Sequence, residues 1–127
     1  MAKIYLASPW FNDRERVMYR GILDKMRKEG HEVYAPIEHE VPNAWEISNE
    51  EWGRAVFNAD IEAIRNCDEV WVLNFGMYSD SGTAWECGFA YALGKPVELI
   101  DQSNNEVSLM VVNGAKNKEN FFNKSQT

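Results

Sequence analysis

The sequence predicts an α/β protein built on a mostly parallel sheet, and three observations carry that expectation. Short apolar runs at residues 3–7, 31–35, 69–73 and 97–100 read as strands. Stretches with helical spacing separate them, and Gly30 and Gly94-Lys95-Pro96 stand where those helices should stop. Strand and helix alternating in this way imply a doubly wound parallel sheet, whose ligands sit beyond the carboxyl ends of the strands.

The first strand, Lys3-Ile4-Tyr5-Leu6-Ala7, runs into Ser8-Pro9-Trp10-Phe11 and then into a polar stretch carrying Val17, Ile22, Leu23 and Met26 at amphipathic-helix spacing. Gly30 is placed for a left-handed helix end, and Pro36 closes the second strand, completing a βαβ unit. Residues 36–49 hold Pro36, Pro42 and Asn43 among few apolar positions and read as a loop. Ser48 precedes Glu51 by the spacing of a capping box, which opens a helix running to about Asn66. Glu69-Val70-Trp71-Val72-Leu73 is nearly continuous in apolar residues, as strands buried on both faces are. A helix then spans 80–93, a fourth strand 97–100, and Leu109-Met110-Val111-Val112 fits either a short helix or a strand. The Lys/Asn-rich end from Lys116 reads as frayed.

A chain of 127 residues suits a single domain, 1–127, with a core of its own. Its net charge of −7 would repel a phosphate backbone, so nucleic acid is not an expected partner. Cys67 and Cys87 have no Cys or His at metal-ligand spacing and read as buried free thiols, so no metal is expected. The opening run lacks the features of a signal peptide, and no stretch approaches the roughly 18 apolar residues of a membrane span. The expectation is a cytoplasmic protein with no membrane partner.

The segment Ser81-Gly82-Thr83-Ala84-Trp85-Glu86-Cys87-Gly88-Phe89-Ala90-Tyr91-Ala92-Leu93-Gly94 contains one charged residue, Glu86. A helix so poor in charge packs on most of its surface, and a lone carboxylate there is desolvated unless it reaches solvent at the helix edge. Glu86 lies early in a helix that Asp80 is suited to cap, where the helix dipole favours an ionised carboxylate. An ionised, partly desolvated carboxylate is what a glycosyl-transferring nucleophile requires. Gly82, Ala84 and Gly88 would let a ligand come close, although Gly88 taken alone fits tight helix-sheet packing. Asp80 is read equally well as a plain N-cap. Asp60 falls between Val56 and Ile64 on the apolar stripe of its helix, where an Asp bound to backbone amides is the competing explanation. Ser8, Trp10 and Phe11 occupy the loop where such sheets bind ligands, and the two aromatics are candidates to stack a planar base or to join the core. That loop lacks the glycine-rich dinucleotide fingerprint, so NAD is not expected, nor is any other cofactor. His31 and His39 have no motif that would support a Ser-His-Asp reading.

Taken together, Lys3-Ile4-Tyr5-Leu6-Ala7-Ser8-Pro9-Trp10-Phe11, Asn58-Ala59-Asp60-Ile61 with Cys67-Asp68, Asp80-Ser81-Gly82-Thr83-Ala84-Trp85-Glu86-Cys87-Gly88 and Gly94-Lys95-Pro96 resemble the nucleoside 2-deoxyribosyltransferase family. The resemblance spans about residues 3–115. It implies a flavodoxin-like, Rossmann-like three-layer sandwich with a mostly parallel five-stranded sheet. It also implies exchange of one nucleobase for another on 2'-deoxyribonucleosides. Glu86 matches the family's nucleophile, Tyr5 the tyrosine that positions it, and Asp60 and Asp80 the acidic residues that bind substrate and assist protonation of the leaving base. Trp10 matches an aromatic at the base pocket, and the loop Glu38-His39-Glu40 is expected to face the base, with Glu40 in contact. Leu109-Met110 matches a pair that reaches a neighbouring subunit's active site, implying a homo-oligomer, dimer or hexamer, with shared sites.

Ser108 departs from the Asn common at that position in the transferases and looks more like the related 2'-deoxynucleoside 5'-phosphate N-hydrolases, whose serines hold a phosphate. Asp80 points the other way, since it stands where those hydrolases carry a phosphate-binding serine and a carboxylate there repels phosphate. The transferase is therefore the expected activity. An N-glycosidase hydrolase is the first alternative and a non-catalytic nucleotide sensor the second.

Overall fold

Side chains that alternate along four strands divide the molecule into three layers. The structure, a computed structural model, describes residues 2–39, 48–76, 80–102 and 106–122. Its strands are β1 (Lys3–Ala7), β2 (Glu32–Tyr34), β3 (Glu69–Asn74) and β4 (Val97–Asp101), all parallel and ordered β2-β1-β3-β4. Its helices are α1 (Asp13–Lys28), α2 (Asn49–Asn66), α3 (Ser81–Ala92), α4 (Leu109–Asn113) and α5 (Glu119–Phe122), with a 3-10 turn at Pro36–Glu38. Ile4, Leu6, Val33 and Leu73 bury one face of the sheet against Tyr19, Leu23 and Met26 of α1. Tyr5, Ala7, Val70, Val72, Val97 and Leu99 bury the other against Ile64 of α2, Cys87 and Ala90 of α3, Val112 of α4 and Phe121 of α5. This is the flavodoxin-like arrangement, in which β1 and β3 are neighbours at the point where the winding reverses.

Local signals set the boundaries. Ser48 accepts a hydrogen bond from the Glu51 amide at the start of α2, and Asp80 does the same for Thr83 at the start of α3. Gly30 and Gly94 follow α1 and α3 with φ of 96° and 77°, a conformation that costs a side chain energy and glycine none. Cys67 and Cys87 are free and buried, and burial pushes the Cys87 thiol up to about 12, so it stays protonated and inert. Among the described residues, no helix is long and apolar enough to cross a membrane.

The expected five-stranded sheet is corrected to four strands among the described residues. Residues 109–112 form α4 rather than a strand, and the edge of β4 is satisfied by other means. The Asn117 side chain accepts from the Leu99 amide at 3.0 Å and donates to the Leu99 carbonyl at 2.9 Å, while the Lys116 amide donates to the Val97 carbonyl at 2.7 Å. One amide side chain thus occupies both ladder positions of Leu99, which blunts an otherwise open edge. The expected loop at 36–49 opens as the 3-10 turn, and its remainder over 40–47 lies outside the described residues.

Candidate active site

Tyr5 lies in the middle of β1 with its side chain on the face covered by α2 and α3. From there its hydroxyl donates to Oε2 of Glu86 on α3. Glu86 is half-buried, and that burial pushes its carboxyl up to about 7. The Tyr5 hydrogen bond works against this rise, whereas the charges of Asp60 and Asp80 add to it. The Tyr5 phenol is itself held far above its ordinary value, first by burial and then by Glu86 and Asp60, so it remains a neutral donor. Asp60, half-buried on α2, is pushed up to about 6 by burial, with His39 acting in the opposite direction. Asp60 and Asp80, the other two acidic residues expected from the sequence, are therefore both brought within electrostatic reach of Glu86.

The helix dipole, expected to favour the ionised form of Glu86, is not the main influence on it. Glu86 is the sixth residue of α3, beyond the first turn over which a helix dipole acts strongly, so burial and like charge outweigh it. Near neutral pH the group is divided between carboxylate and acid.

A cavity of about 270 Å³ opens beyond the carboxyl ends of β1 and β3, at the reversal of winding. Pro9 and Phe11 line it from the β1 loop, Asn74, Phe75 and Gly76 from the β3 end, and Asp80, Thr83, Ala84 and Cys87 from α3. Glu86 does not itself line this cavity, but Asp80 does, and Asp80 also acts on Glu86. Asp80 proves to be an N-cap as well, since its Oδ2 accepts from the Thr83 amide at 2.9 Å and hydroxyl at 3.0 Å. A Cβ at Gly82 would stand 3.3 Å from that oxygen, so the glycine keeps the carboxylate uncrowded.

A model of the nucleoside 2-deoxyribosyltransferases matches residues 4–122. The chain belongs to that family of pentosyltransferases. It is 29% identical over 126 residues to the nucleoside deoxyribosyltransferase of Limosilactobacillus fermentum, a match covering 88% of this chain and 75% of the relative. The solved 2-deoxyribosyltransferase of Bacillus psychrosaccharolyticus superposes with a TM-score of 0.83 at 38% identity, over 90% of this chain and 82% of its own. A conserved protein from Enterococcus faecalis superposes with a TM-score of 0.69 at 26% identity, over 84% and 67%.

The remaining expected residues of this transferase are placed less uniformly. Phe11 lines the cavity and is 77% exposed, whereas Trp10 packs its ring against Tyr19 at 5.9 Å and is absent from the lining. Ser8 is buried and donates to the Pro9 carbonyl at 2.8 Å. Ser108 is half-buried at the start of α4 without a side-chain capping bond, and Met110 is exposed, so neither lines the cavity; Val111 does. Gly88 does not fit the tight-packing explanation, because a Cβ there would meet nothing within 4 Å. Glu40 lies outside the described residues.

Glu15, Asn74 and Phe75 line the cavity without having been singled out. Glu15 had a readable signal: it follows Asn12 at capping-box spacing, and its carboxylate accepts from the Phe11 amide while Asn12 accepts from the Glu15 amide, both at 2.8 Å. This reciprocal pair holds the aromatic loop to the start of α1.

Burying a charge at Glu86 has a cost that depends on pH. Its folded-state value of about 7 lies above its ordinary 4.5, so its stabilising contribution is complete below about 4.5 and is lost as pH rises through 7. Glu86→Gln, which keeps an acceptor for Tyr5, is expected to stabilise the protein at pH 8 by on the order of 1–3 kcal/mol and to be nearly neutral at pH 4.5. Urea unfolding at the two pH values checks this, and an equal effect at both would contradict it.

Proposed function

We propose that this transferase exchanges one nucleobase for another on 2'-deoxyribonucleosides through a deoxyribosyl ester on Glu86. The observation that carries the reading is a half-buried carboxyl held by the Tyr5 hydroxyl between two further acidic groups. In the first half-reaction a Glu86 oxygen attacks C1', the bond from C1' to the base nitrogen breaks, and its electron pair leaves with the base, which takes a proton from Asp60. In the second, a nitrogen of the incoming base attacks C1', the ester oxygen departs as the Glu86 carboxylate, and Asp60 recovers the proton. This is the logic of a retaining glycosidase with a nucleobase in place of water. Tyr5 aims the nucleophile. Asp80, fixed by Thr83 and facing the cavity, holds substrate beside Phe11 and Gly82.

The test is incubation with deoxyinosine, with and without adenine or cytosine, followed by separation of products. New deoxynucleosides formed only with the added base support exchange, and free deoxyribose formed without one would favour hydrolysis instead. Glu86→Ala should remove base exchange while leaving the fold intact. Substantial surviving exchange would sink the nucleophile assignment.

Glu86 must be ionised, which favours pH above about 7, while Asp60 must be protonated, which favours pH below about 6. The kcat/KM profile for the deoxynucleoside should therefore be bell-shaped, with its maximum between the two and limbs that belong to the coupled pair. Asp60→Asn should lower the rate by roughly 10²–10⁴-fold and remove the alkaline limb. A flat profile would contradict the roles given to both carboxyls.

The functional unit in this reading is a homo-oligomer. Leu109 and Met110 are 69% and 87% exposed at the start of α4, and Phe57 and Trp85 meet at 5.3 Å on the exposed sides of α2 and α3. Exposed apolar side chains grouped in this way suit an interface between subunits. Light scattering on the purified chain should give a multiple of 14.6 kDa, and a monomer mass at working concentration would rule the assembly out.

A further inference from the structure

Two of the residues that line the cavity are phenylalanines, Phe11 from the β1 loop and Phe75 from the end of β3. Among the described residues neither ring stacks on another aromatic, in contrast to Trp10, which rests on Tyr19. Consecutive residues in the first turn of α1 hold the two segments. Glu15 accepts from the Phe11 amide at 2.8 Å, and the Arg14 guanidinium stands over the Phe75 ring, 5.3 Å from its centre. Arg14 is itself anchored. It donates to the Gln102 carbonyl at 2.8 Å just beyond β4, and the Gln102 amide donates to the Asn74 carbonyl at 2.8 Å, one residue before Phe75. The start of α1 is thereby tied to the ends of β3 and β4, and Thr83, Ala84 and Cys87 of α3 line the same cavity on either side of Glu86 in the chain.

We propose that Phe11 and Phe75 are two walls of a subsite for the nucleobase, and that Glu15 and Arg14 are positioning residues that set those walls in place. The inference rests on the exchange reading, in which one pocket receives two different bases in turn. Such bases differ in the donors and acceptors along their edges, whereas every one of them has a flat face, so a site that takes both is served by stacking. Stacking needs rings whose place is fixed before the base arrives, because ordering them afterwards would be subtracted from affinity. Phe11 is 77% exposed on a loop, and its backbone is held by Glu15 rather than by burial. Phe75 has one face covered by Arg14, which leaves the other for a ligand.

Arg14 is exposed, Glu15 is half-buried and neither joins the core, so both can be replaced without unfolding the chain. Glu15→Ala and Arg14→Ala should each weaken the uptake of free adenine or cytosine, followed by calorimetry on the full chain, by roughly 5- to 10-fold, a part of what a base gains from one aromatic ring. The KM for the incoming base should rise in parallel while kcat stays within about twofold. Glu15→Gln keeps an acceptor for the Phe11 amide and Arg14→Lys keeps a cation for Phe75, so these two should restore most of the loss. In a Phe11→Ala background Glu15→Ala should have little further effect, and Arg14→Ala little in a Phe75→Ala background, because no ring is left to position. Affinities unchanged in both single variants overturn the inference, as do losses that persist undiminished in those backgrounds, a fall confined to kcat, or a wild-type chain that takes up neither base. Should the wild-type chain bind a base yet exchange none, the exchange reading falls on its own, and the calorimetric series still decides what holds the two rings.

Discussion

The hydrogen bond from the Tyr5 hydroxyl to Glu86 is the interaction on which the rest of the site depends. It crosses from the sheet to α3 in a region dry enough to drive a carboxyl up to about 7, and among the described residues it is the one contact there that favours the charged form of Glu86. Without it, burial and the charges of Asp60 and Asp80 would act unopposed and hold Glu86 as the neutral acid, which is no nucleophile. The phenol suits this task because its own ionisation is suppressed by the same surroundings. It can donate a proton in a hydrogen bond without ever giving that proton up.

Much of the fold was legible because each boundary had a local cause. Ser48, Asp80, Gly30 and Gly94 mark helix ends through chemistry that acts within a few residues, and the structure uses all four in that way. The near-continuous apolar run of β3 announced a strand buried on both faces. The strand count was not legible in this manner. Whether residues 109–112 coil or extend depends on who pairs with β4, and that partner is the Asn117 side chain, which no periodicity distinguishes from any other surface asparagine.

The site divides along the same line. Glu86 stood out as a single charge in an apolar helix, and Asp60 as an acid on an apolar stripe, since burial leaves its mark on sequence pattern. The protonation state of Glu86 was not readable, because it is the balance of burial, one hydrogen bond and two neighbouring charges, each set by tertiary distances. Trp10 and Phe11 show the limit most directly: they are adjacent aromatics in one loop, yet one turns to Tyr19 and the other to the cavity. Composition assigns both the same affinity for a base, and contacts that spacing does not show separate them: Glu15 holds the Phe11 amide, Arg16 the Trp10 carbonyl and Tyr19 the Trp10 ring. The stacking of His39 on Tyr34 joins residues of different elements and leaves no trace in spacing.

That burial raises both Glu86 and Asp60 bears on how this arrangement would suit the proposed exchange. In a hydrolase the chemistry runs one way, and a strong acid paired with a permanently ionised nucleophile would serve it best. The proposed exchange is nearly symmetrical: in it the group that protonates one base deprotonates the next, and the carboxylate that bonds to C1' has to be as good a leaving group as it was a nucleophile. A carboxyl whose charge is costly in its surroundings forms an ester readily, and one held by a tyrosine hydrogen bond is still stable enough to leave. In the proposed mechanism, a substitution that held Asp60 fully protonated would favour departure of the first base and hinder proton recovery from the second, whereas holding Glu86 as the neutral acid would stop the first half-reaction outright.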